Sequence, residues 1–294
     1  MASLKEIKGR IASVNSTLKI TSAMKMVASA KLRKAQNAIG NTLAYQKLLG
    51  SILAELLSDE GGRTDTSSSA FVTPRDEVRS VALVCISSNS SLCGGFNANA
   101  IREAVRVLRE YEAGGVKVDV YPIGKRIADA LRKIGYSCPV DYSHIAASPD
   151  YDDAATLGSG LVDAFLEGKY DRVEFVYNHF KNAGSQPTVH ETYLPLSLDR
   201  APTSGQRNST VEFIVEPDRA SQVQYLLPNV LRLRIYTVIL DAQIAEHAAR
   251  TLAMQTATDN GRDLLAQLTL EYNKGRQQKI TNEILDLEGG STRE

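Results

Sequence analysis

The 294-residue sequence has no tryptophan, only three cysteines and no long apolar run. A membrane-spanning helix needs about 20 consecutive apolar residues, so we expect a chain that is soluble or at most peripheral to a membrane. The first residues mix basic and polar side chains and lack the apolar core of a signal peptide. Cys85, Cys93 and Cys138 are odd in number and not spaced for a metal, which indicates buried thiols in a reducing compartment.

Motifs for catalysis are missing as well. Gly94 and Gly95 follow a predicted strand, as in a phosphate-binding loop, but no Gly-Lys-Ser/Thr comes after them. The sequence has no complete three-glycine dinucleotide fingerprint, and the hydroxyl-rich segment 87–91 lacks a paired histidine and aspartate in local motif context. No two histidines have the helical spacing of metal ligands; the four are His144, His179, His190 and His247. We therefore predict no catalytic residue, no cofactor and no metal site.

The N-terminal part of the chain carries a heptad pattern, in which apolar positions are spaced alternately three and four apart. The seam residues are Leu4, Ile7, Ile11, Val14, Leu18, Thr21, Lys25, Ala28, Leu32, Ala35, Ile39, Thr42, Gln46, Leu49, Leu53 and Leu56. Ser3 suits an N-cap because Glu6 follows three residues later, and the helix is expected to run to about Leu57. At 1.5 Å per residue it would be about 80 Å long, longer than a compact domain is wide.

The C-terminal part keeps the same spacing. Its predicted seam residues are Leu231, Ile235, Val238, Ala242, Ala245, Ala249, Leu252 and Thr256. The small residues among them allow two helix axes to approach closely. We therefore expect the two seams to face each other in a long antiparallel coiled coil.

Between the two helices the pattern changes to alternating strands and helices. Strands are predicted over 80–87, 116–123, 136–142, 172–180 and 188–196, and helices over 98–113, 125–134 and 154–167. This order predicts a mostly parallel sheet covered on both faces, with the last two strands in a hairpin. The fold class is thus a Rossmann-like α/β domain inserted into a coiled coil. The expected domains are 1–60, 78–198 and 211–294, with flexible links over 61–74 and 199–210 and a short extended run over 211–215.

Charge is separated along the chain although the net charge is zero. Residues 1–50 hold nine Lys and Arg residues against Glu6 alone, a net charge of +8. Two interpretations stay open: a solvated polar face, or a helix that lies against an acidic partner or nucleic acid. Nucleic-acid binding is disfavoured because Tyr45 is the only aromatic residue before Phe71.

The long helices and the turn after the first strand resemble the gamma subunit of the rotary F-type ATP synthase. The matching segments are IKGRI (7–11), ITSAMKMVASAKLRKA (20–35), SLCGGFN (91–97), EPD (216–218), AARTLAM (248–254), ATDN (257–260), YNK (272–274), RQ (276–277) and ITNE (280–283). Two places depart from the family pattern. Residues 89–91 (NSS) replace a usual acidic-basic-glycine triplet, and Glu288 and Ser291 replace an apolar residue and an alanine.

The resemblance implies a central rotor shaft, present in one copy, that performs no chemistry itself. Rotation would couple proton or sodium flow through the membrane c ring to ATP synthesis or hydrolysis in the catalytic ring. The implied partners are the alpha and beta subunits, the epsilon subunit and the c ring, with no nucleic acid and no small-molecule substrate. The implied location is the cytoplasmic face of the bacterial inner membrane, as a peripheral protein.

The same resemblance assigns contact residues. Those expected to touch the catalytic ring are Met24 and Lys25 on the first helix and, opposite them, Arg276, Gln277 and Thr281 on the last. Those expected to face the c ring and epsilon are Phe213, Val215 and Glu216. The alternative is a helical adaptor or nucleic-acid-binding coil whose α/β domain binds a small ligand.

Overall fold

A computed structural model describes residues 3–57, 71, 75, 77–138, 140–196, 216 and 218–291. The predicted extended run over 211–215 and the link over 199–210 lie outside these residues, as does the link over 61–74 apart from Phe71. None of the described helices combines the length and the apolar character needed to cross a bilayer.

Within the described residues, six helices and four strands have the following bounds. The helices are α1 (Leu4–Leu57), α2 (Phe96–Ala113), α3 (Lys125–Lys133), α4 (Ser143–Ala147), α5 (Tyr151–Leu166) and α6 (Arg219–Ser291). The strands are β1 (Ser80–Ile86), β2 (Lys117–Ile123), β3 (Arg172–Asn178) and β4 (Thr188–Leu194).

The predicted cap of α1 is confirmed, because Ser3 Oγ accepts the N–H of Glu6 at 3.2 Å. Asp218 caps α6 in the same way, with Oδ1 2.8 Å from the N–H of Ser221.

The sheet has the strand order β2-β1-β3-β4. Strand β1 is parallel to β2 and β3, and β4 returns antiparallel to β3, which confirms the predicted hairpin. Alternate side chains of β1 enter two cores, as the two-residue period of a strand requires. Leu83 and Cys85 pack with α2 and α3, and Val84 packs on the other face with α5 and α6. Both faces of the sheet are therefore covered.

The predicted strand over 136–142 is wrong. The described part of that segment contains no strand and leads instead into α4 at Ser143. The N–H of Tyr136 bonds back to the carbonyl of Leu131 at 3.1 Å and so completes the end of α3. The N–H of Tyr136 is thus paired within the turn after α3 and is not available to a strand ladder.

The chain divides into two compact units. The first comprises residues 1–30 and 250–294, and the second comprises residues 31–249. Both divisions fall inside the two long helices, so each unit contains a part of α1 and a part of α6. The domain bounds expected from the sequence, 1–60, 78–198 and 211–294, follow element ends and stay a prediction.

Candidate functional site: the paired ends of the two long helices

In the first unit, α1 and α6 run antiparallel, as three contacts show. A β-carbon placed on Gly275 would lie 3.1 Å from Leu4 Cδ2, and one placed on Gly261 would lie 2.7 Å from Leu18 Cδ2. The Thr258 hydroxyl lies 2.9 Å from that of Thr21. Two heptads forward on α1, from Leu4 to Leu18, match two heptads backward on α6, from Gly275 to Gly261. The register is therefore constant over this length.

Extending this register pairs every seam residue of α1 in the first unit with a residue of α6. The further pairs are Ile7 with Tyr272, Ile11 with Leu268, Val14 with Leu265, Lys25 with Met254, and Ala28 with Thr251. All of these side chains are buried or half-buried. The predicted α1 seam is confirmed, since each of its positions from Leu4 to Leu56 is buried or half-buried.

The predicted α6 seam is wrong after Ala249. Leu252 is 46% exposed and Thr256 is exposed, whereas Met254, Thr258 and Leu268 are buried. The residues of α6 that face α1 include threonines and glycines, and for this reason the prediction placed the stripe on the wrong positions. Such residues do not stand out in a search for apolar positions, although a glycine in a seam lets a leucine from the other helix enter.

The basic residues of α1 lie on its outer surface. Eight of the nine Lys and Arg residues in the first 50 positions are exposed, and Lys25 is half-buried. Arg10 pairs with Glu6 at 2.9 Å, where both side chains are more than half exposed. The cationic character of the sequence is thus presented outward, where another molecule could reach it.

The structure does not bring the two sets of expected ring contacts together. Arg276, Gln277 and Thr281 are exposed, and the Thr281 hydroxyl donates to the carbonyl of Gln277 at 3.0 Å. In this register Arg276 is level with Ser3, at the start of α1, and Gln277 and Thr281 lie beyond it. Lys25 is instead level with Met254, which precedes Arg276 by about six helical turns, or about 33 Å along the coil. The expectation that Met24 and Lys25 lie opposite the α6 residues is therefore wrong.

The last part of α6 has no described residue of α1 beside it. Helix α1 begins at Leu4, opposite Gly275, while α6 continues to Ser291. Three large apolar side chains are about half exposed on this single helix, namely Ile280, Ile284 and Leu285.

The residues expected at the c ring fall largely outside the described chain. Phe213 and Val215 are not among the described residues. Glu216 is exposed just before α6, and its carbonyl accepts from Gln222 Nε2 at 2.6 Å. The assignment of these three residues stays a prediction.

The turn after β1 is closed by its own hydrogen bonds. Asn97 Oδ1 lies 3.0 Å from both the N–H and the hydroxyl of Ser88, and Asn97 Nδ2 donates to the carbonyl of Ser90 at 3.2 Å. Leu92 has a φ of +66° there, which is rare for a residue with a side chain. These bonds are those of a tight strand-to-helix turn. In the described part of the chain, no three His, Cys, Asp or Glu side chains are grouped to hold a metal.

A buried ionic network, which the sequence does not reveal, lies around Glu174. The Glu174 side chain on β3 is only 3% exposed, and its oxygens lie 2.6 Å from His190 Nε2 and 2.7 Å from the Tyr111 hydroxyl. Burial alone would raise the pKa of Glu174, but the hydrogen bonds from His190 and Tyr111 outweigh it and lower the pKa. Burial and the bond to Glu174 raise the pKa of Tyr111 to about 12. A charged residue in the middle of the apolar β3 run was the only signal.

The fold and the helix pairing define a class of protein: a coiled-coil subunit with a Rossmann-like α/β domain inserted between its helices. The family model described as ATP synthase matches residues 3–292. The ATP synthase gamma chain of Phocaeicola vulgatus is 50% identical over 292 residues, which cover 99% of each chain. The chain therefore belongs to the ATP synthase family, and its resemblance to the gamma subunit is confirmed.

Solved structures share the fold. A chain in the cryo-EM structure of the Euglena gracilis mitochondrial ATP synthase, with OSCP, F1 and c-ring, superposes with a TM-score of 0.64 at 20% identity. The match covers 98% of this chain and 93% of that one. A chain in the central stalk and c-ring structure of the Tetrahymena thermophila enzyme has a TM-score of 0.57 at 24% identity, covering 81% of this chain and 99% of that one. The predicted fold class is confirmed, and the expected rotor-shaft role agrees with the family. The adaptor and nucleic-acid-binding alternative finds no support in these comparisons.

Proposed function

We propose that this chain is the central rotor shaft of an F-type ATP synthase, present in one copy per complex and without chemistry of its own. The observation that carries the proposal is the constant antiparallel register of α1 and α6 between the Leu4–Gly275 and Thr21–Thr258 contacts. Two helices locked side by side resist bending and twisting better than one. A chain that transmits torque needs that stiffness.

The mechanism follows from symmetry. A single rod inside a ring with three catalytic sites presents a different surface to each site at any moment. A partner shifts a conformational equilibrium only through a difference in its contact free energy with the two states. Turning the rod therefore gives each site in turn the contacts that favour one conformation, while ion flow through the c ring drives the turning.

The ring contacts fall at two levels of the rod. Met24 and Lys25 form one level, and Arg276, Gln277 and Thr281 form the other, about 33 Å away. The exposed cationic surface of α1 suits acidic segments of the alpha and beta subunits. Contacts of this exposed, polar kind are weak enough to be made and broken in each turn.

The foot of the rotor would be the segment that carries Phe213, Val215 and Glu216, which we assign to the c ring and the epsilon subunit. This attachment would hold the chain at the cytoplasmic face of the bacterial inner membrane as a peripheral protein. In the sequence these residues come just before α6.

The ring contact is tested with the double variant Arg276→Ala/Gln277→Ala in the assembled complex. We expect ATP synthesis by membrane vesicles to fall about tenfold, the loss that accompanies about 1.4 kcal/mol of missing contact free energy. Arg262→Ala is the matched control, since Arg262 is also exposed on α6 and pairs with Asp259 of its own helix, at 3.1 Å. Full synthesis by a fully assembled double variant would refute the site. A chain that fails to co-purify with nucleotide-hydrolysing subunits would refute the function.

A further inference from the structure

The α/β domain has the crevice at which doubly wound folds bind their ligands. Strands β1 and β3 are adjacent and parallel, and the chain leaves β1 towards β2 on one side and β3 towards β4 on the other. Where the connections of two neighbouring parallel strands diverge in this way, a crevice opens outside their carboxyl ends, and small molecules bind there in such folds. The two sides of this crevice are the turn after β1 and residues 179–180, which follow β3.

Helix α6 lies against both sides of this crevice. Ala245 and Ala249 of α6 pack with Cys93 and Phe96, which come from the turn after β1 and from the start of α2. Phe180, from the other side of the crevice, packs against the same cluster. The position that a ligand takes in a doubly wound domain is therefore covered by a helix of the same chain.

The side chain of Asp241, on α6, is held at the carboxyl end of β3 as a bound carboxylate would be. Its Oδ2 lies 2.6 Å from His179 Nδ1, and its Oδ1 accepts the N–H of Phe180 at 3.1 Å. The Asp241 side chain is only 15% exposed, and a carboxylate removed from water needs such donors to offset its lost hydration. An ionised carboxylate only accepts hydrogen bonds, so His179 Nδ1 carries the proton of this pair. A backbone N–H and an imidazole N–H thus converge on one carboxylate that a distant helix supplies.

The start of α3, at the same edge of the sheet, is closed in a different way. The first N–H groups of such a helix bind phosphate in dinucleotide-binding folds. Here the N–H of Lys125 donates to Asn89 Oδ1 at 2.9 Å, and the N–H of Ile127 donates to Ser87 Oγ at 2.9 Å. These donors are filled by the turn beside them, whereas the donors after β3 are filled from α6.

We propose that His179 and the N–H of Phe180 form a carboxylate-binding site at the crevice of the α/β domain, and that Asp241 occupies it as an internal ligand. The domain holds the long helix as a receptor holds its ligand. A small free carboxylate such as formate binds at the same donors once the Asp241 side chain is removed. The inference concerns the chain itself and holds whether or not the chain turns inside a larger complex.

The test removes the internal ligand and offers formate in its place, in the full chain at neutral pH. Thermal unfolding is followed by circular dichroism. Asp241→Ala should unfold at a lower temperature than the parent. Formate at about ten times its dissociation constant should raise the midpoint of this variant by about 3 °C relative to the same concentration of chloride. In the parent, where Asp241 fills the site, the two salts should give the same midpoint.

Two further variants show whether formate acts at this site. Asp241→Ala/His179→Leu lacks the imidazole donor, so its midpoint should no longer respond to formate. Asp129→Ala is the matched control, because Asp129 is exposed and pairs with Arg132 at 3.4 Å on the surface of α3. Removing that carboxylate leaves no enclosed site, and formate and chloride should again give the same midpoint.

Asp241→Ser decides the question if the alanine chain does not fold in either salt, because its shorter side chain also leaves room for formate. A higher midpoint in formate than in chloride, seen only when Asp241 is shortened and His179 is present, supports the site. Equal midpoints in the two salts for the shortened variants would overturn the proposal, and so would an equal formate response in Asp129→Ala or in the double variant. Asp241 would then be an ordinary ion-pair partner of His179.

Discussion

Leu18 occupies the space that a side chain at Gly261 would need. The Cδ2 atom of the leucine is 2.7 Å from the position of a β-carbon on the glycine, closer than two carbon atoms approach without displacement. A glycine in a helix interior costs about 1 kcal/mol relative to alanine. The close approach of the two helices explains why the chain tolerates that cost.

We predict that Gly261→Leu lowers the free energy of unfolding by about 1–3 kcal/mol, the usual effect of overfilling a packed site. Gly9→Leu is the control, since Gly9 is exposed on α1 and a β-carbon there would meet nothing within 4 Å. The control should gain up to about 1 kcal/mol from helix propensity. Urea unfolding followed by circular dichroism measures both; equal shifts in the two variants would contradict the close packing.

The buried carboxylate of Glu174 should be far more important for stability than an exposed one. Glu174→Ala removes the acceptor shared by His190 and Tyr111, so we expect a loss of about 3 kcal/mol. Glu77→Ala breaks the pair with Arg79, at 2.6 Å but with both side chains more than 70% exposed, and should cost less than about 1 kcal/mol. The comparison is made by urea unfolding at neutral pH. A Glu174 variant as stable as the Glu77 variant would show that the network contributes little.

Acid sensitivity should be traceable to Asp171. Burial alone would raise the pKa of Asp171, but hydrogen bonds from Arg75 and from the N–H groups of Arg79 and Ser80 outweigh it and lower the pKa to about 2. The pKa of Asp171 is lower in the folded state than in the unfolded state. The ionised carboxylate therefore contributes its full stabilisation above about pH 4, and this stabilisation is lost as the pH falls towards about 2.

The prediction is measured by unfolding Asp171→Asn and the parent chain in urea at a series of pH values. The variant should be less stable than the parent near neutral pH, and the difference should vanish at about pH 2. Asp129→Asn, which breaks an exposed 3.4 Å pair with Arg132, serves as control and should follow the parent curve. A stability difference at Asp171 that does not change with pH would contradict the role of its charge.

The sequence correctly predicted the features that depend on the local spacing of apolar residues, such as the α1 seam. It did not predict the features that depend on contacts with residues far away in the chain. The α1 seam is correct because an outward helix face and an inward one differ strongly in polarity, as Leu18 and Lys19 illustrate. The α6 stripe was misplaced because Gly261 and Thr258 acquire their meaning only from Leu18 and Thr21, at the other end of the chain. Tyr136 shows the same limit for strands, because an apolar segment becomes a strand only where another strand pairs with it, and the N–H of Tyr136 bonds to the carbonyl of Leu131 instead.

The residues of the candidate site were named from the sequence, but their positions relative to one another along the coil were not predicted correctly. Resemblance alone named Arg276 and Lys25, and nothing in their spacing shows that they occupy different levels of the coil. Helix register fixes that separation, and register is a property of two segments together. The Glu174 network was missed for a related reason, because its three members come from α2, β3 and β4.

The most direct test of the rotor-shaft account is to watch the chain inside the assembled catalytic ring. With the ring fixed to a surface and a bead attached through Lys117→Cys, at a side chain that is 78% exposed on the α/β domain, ATP is added and the bead is followed. The account predicts continuous rotation in one direction while ATP is hydrolysed. A ring that hydrolyses ATP at full rate while the bead stays still would contradict it.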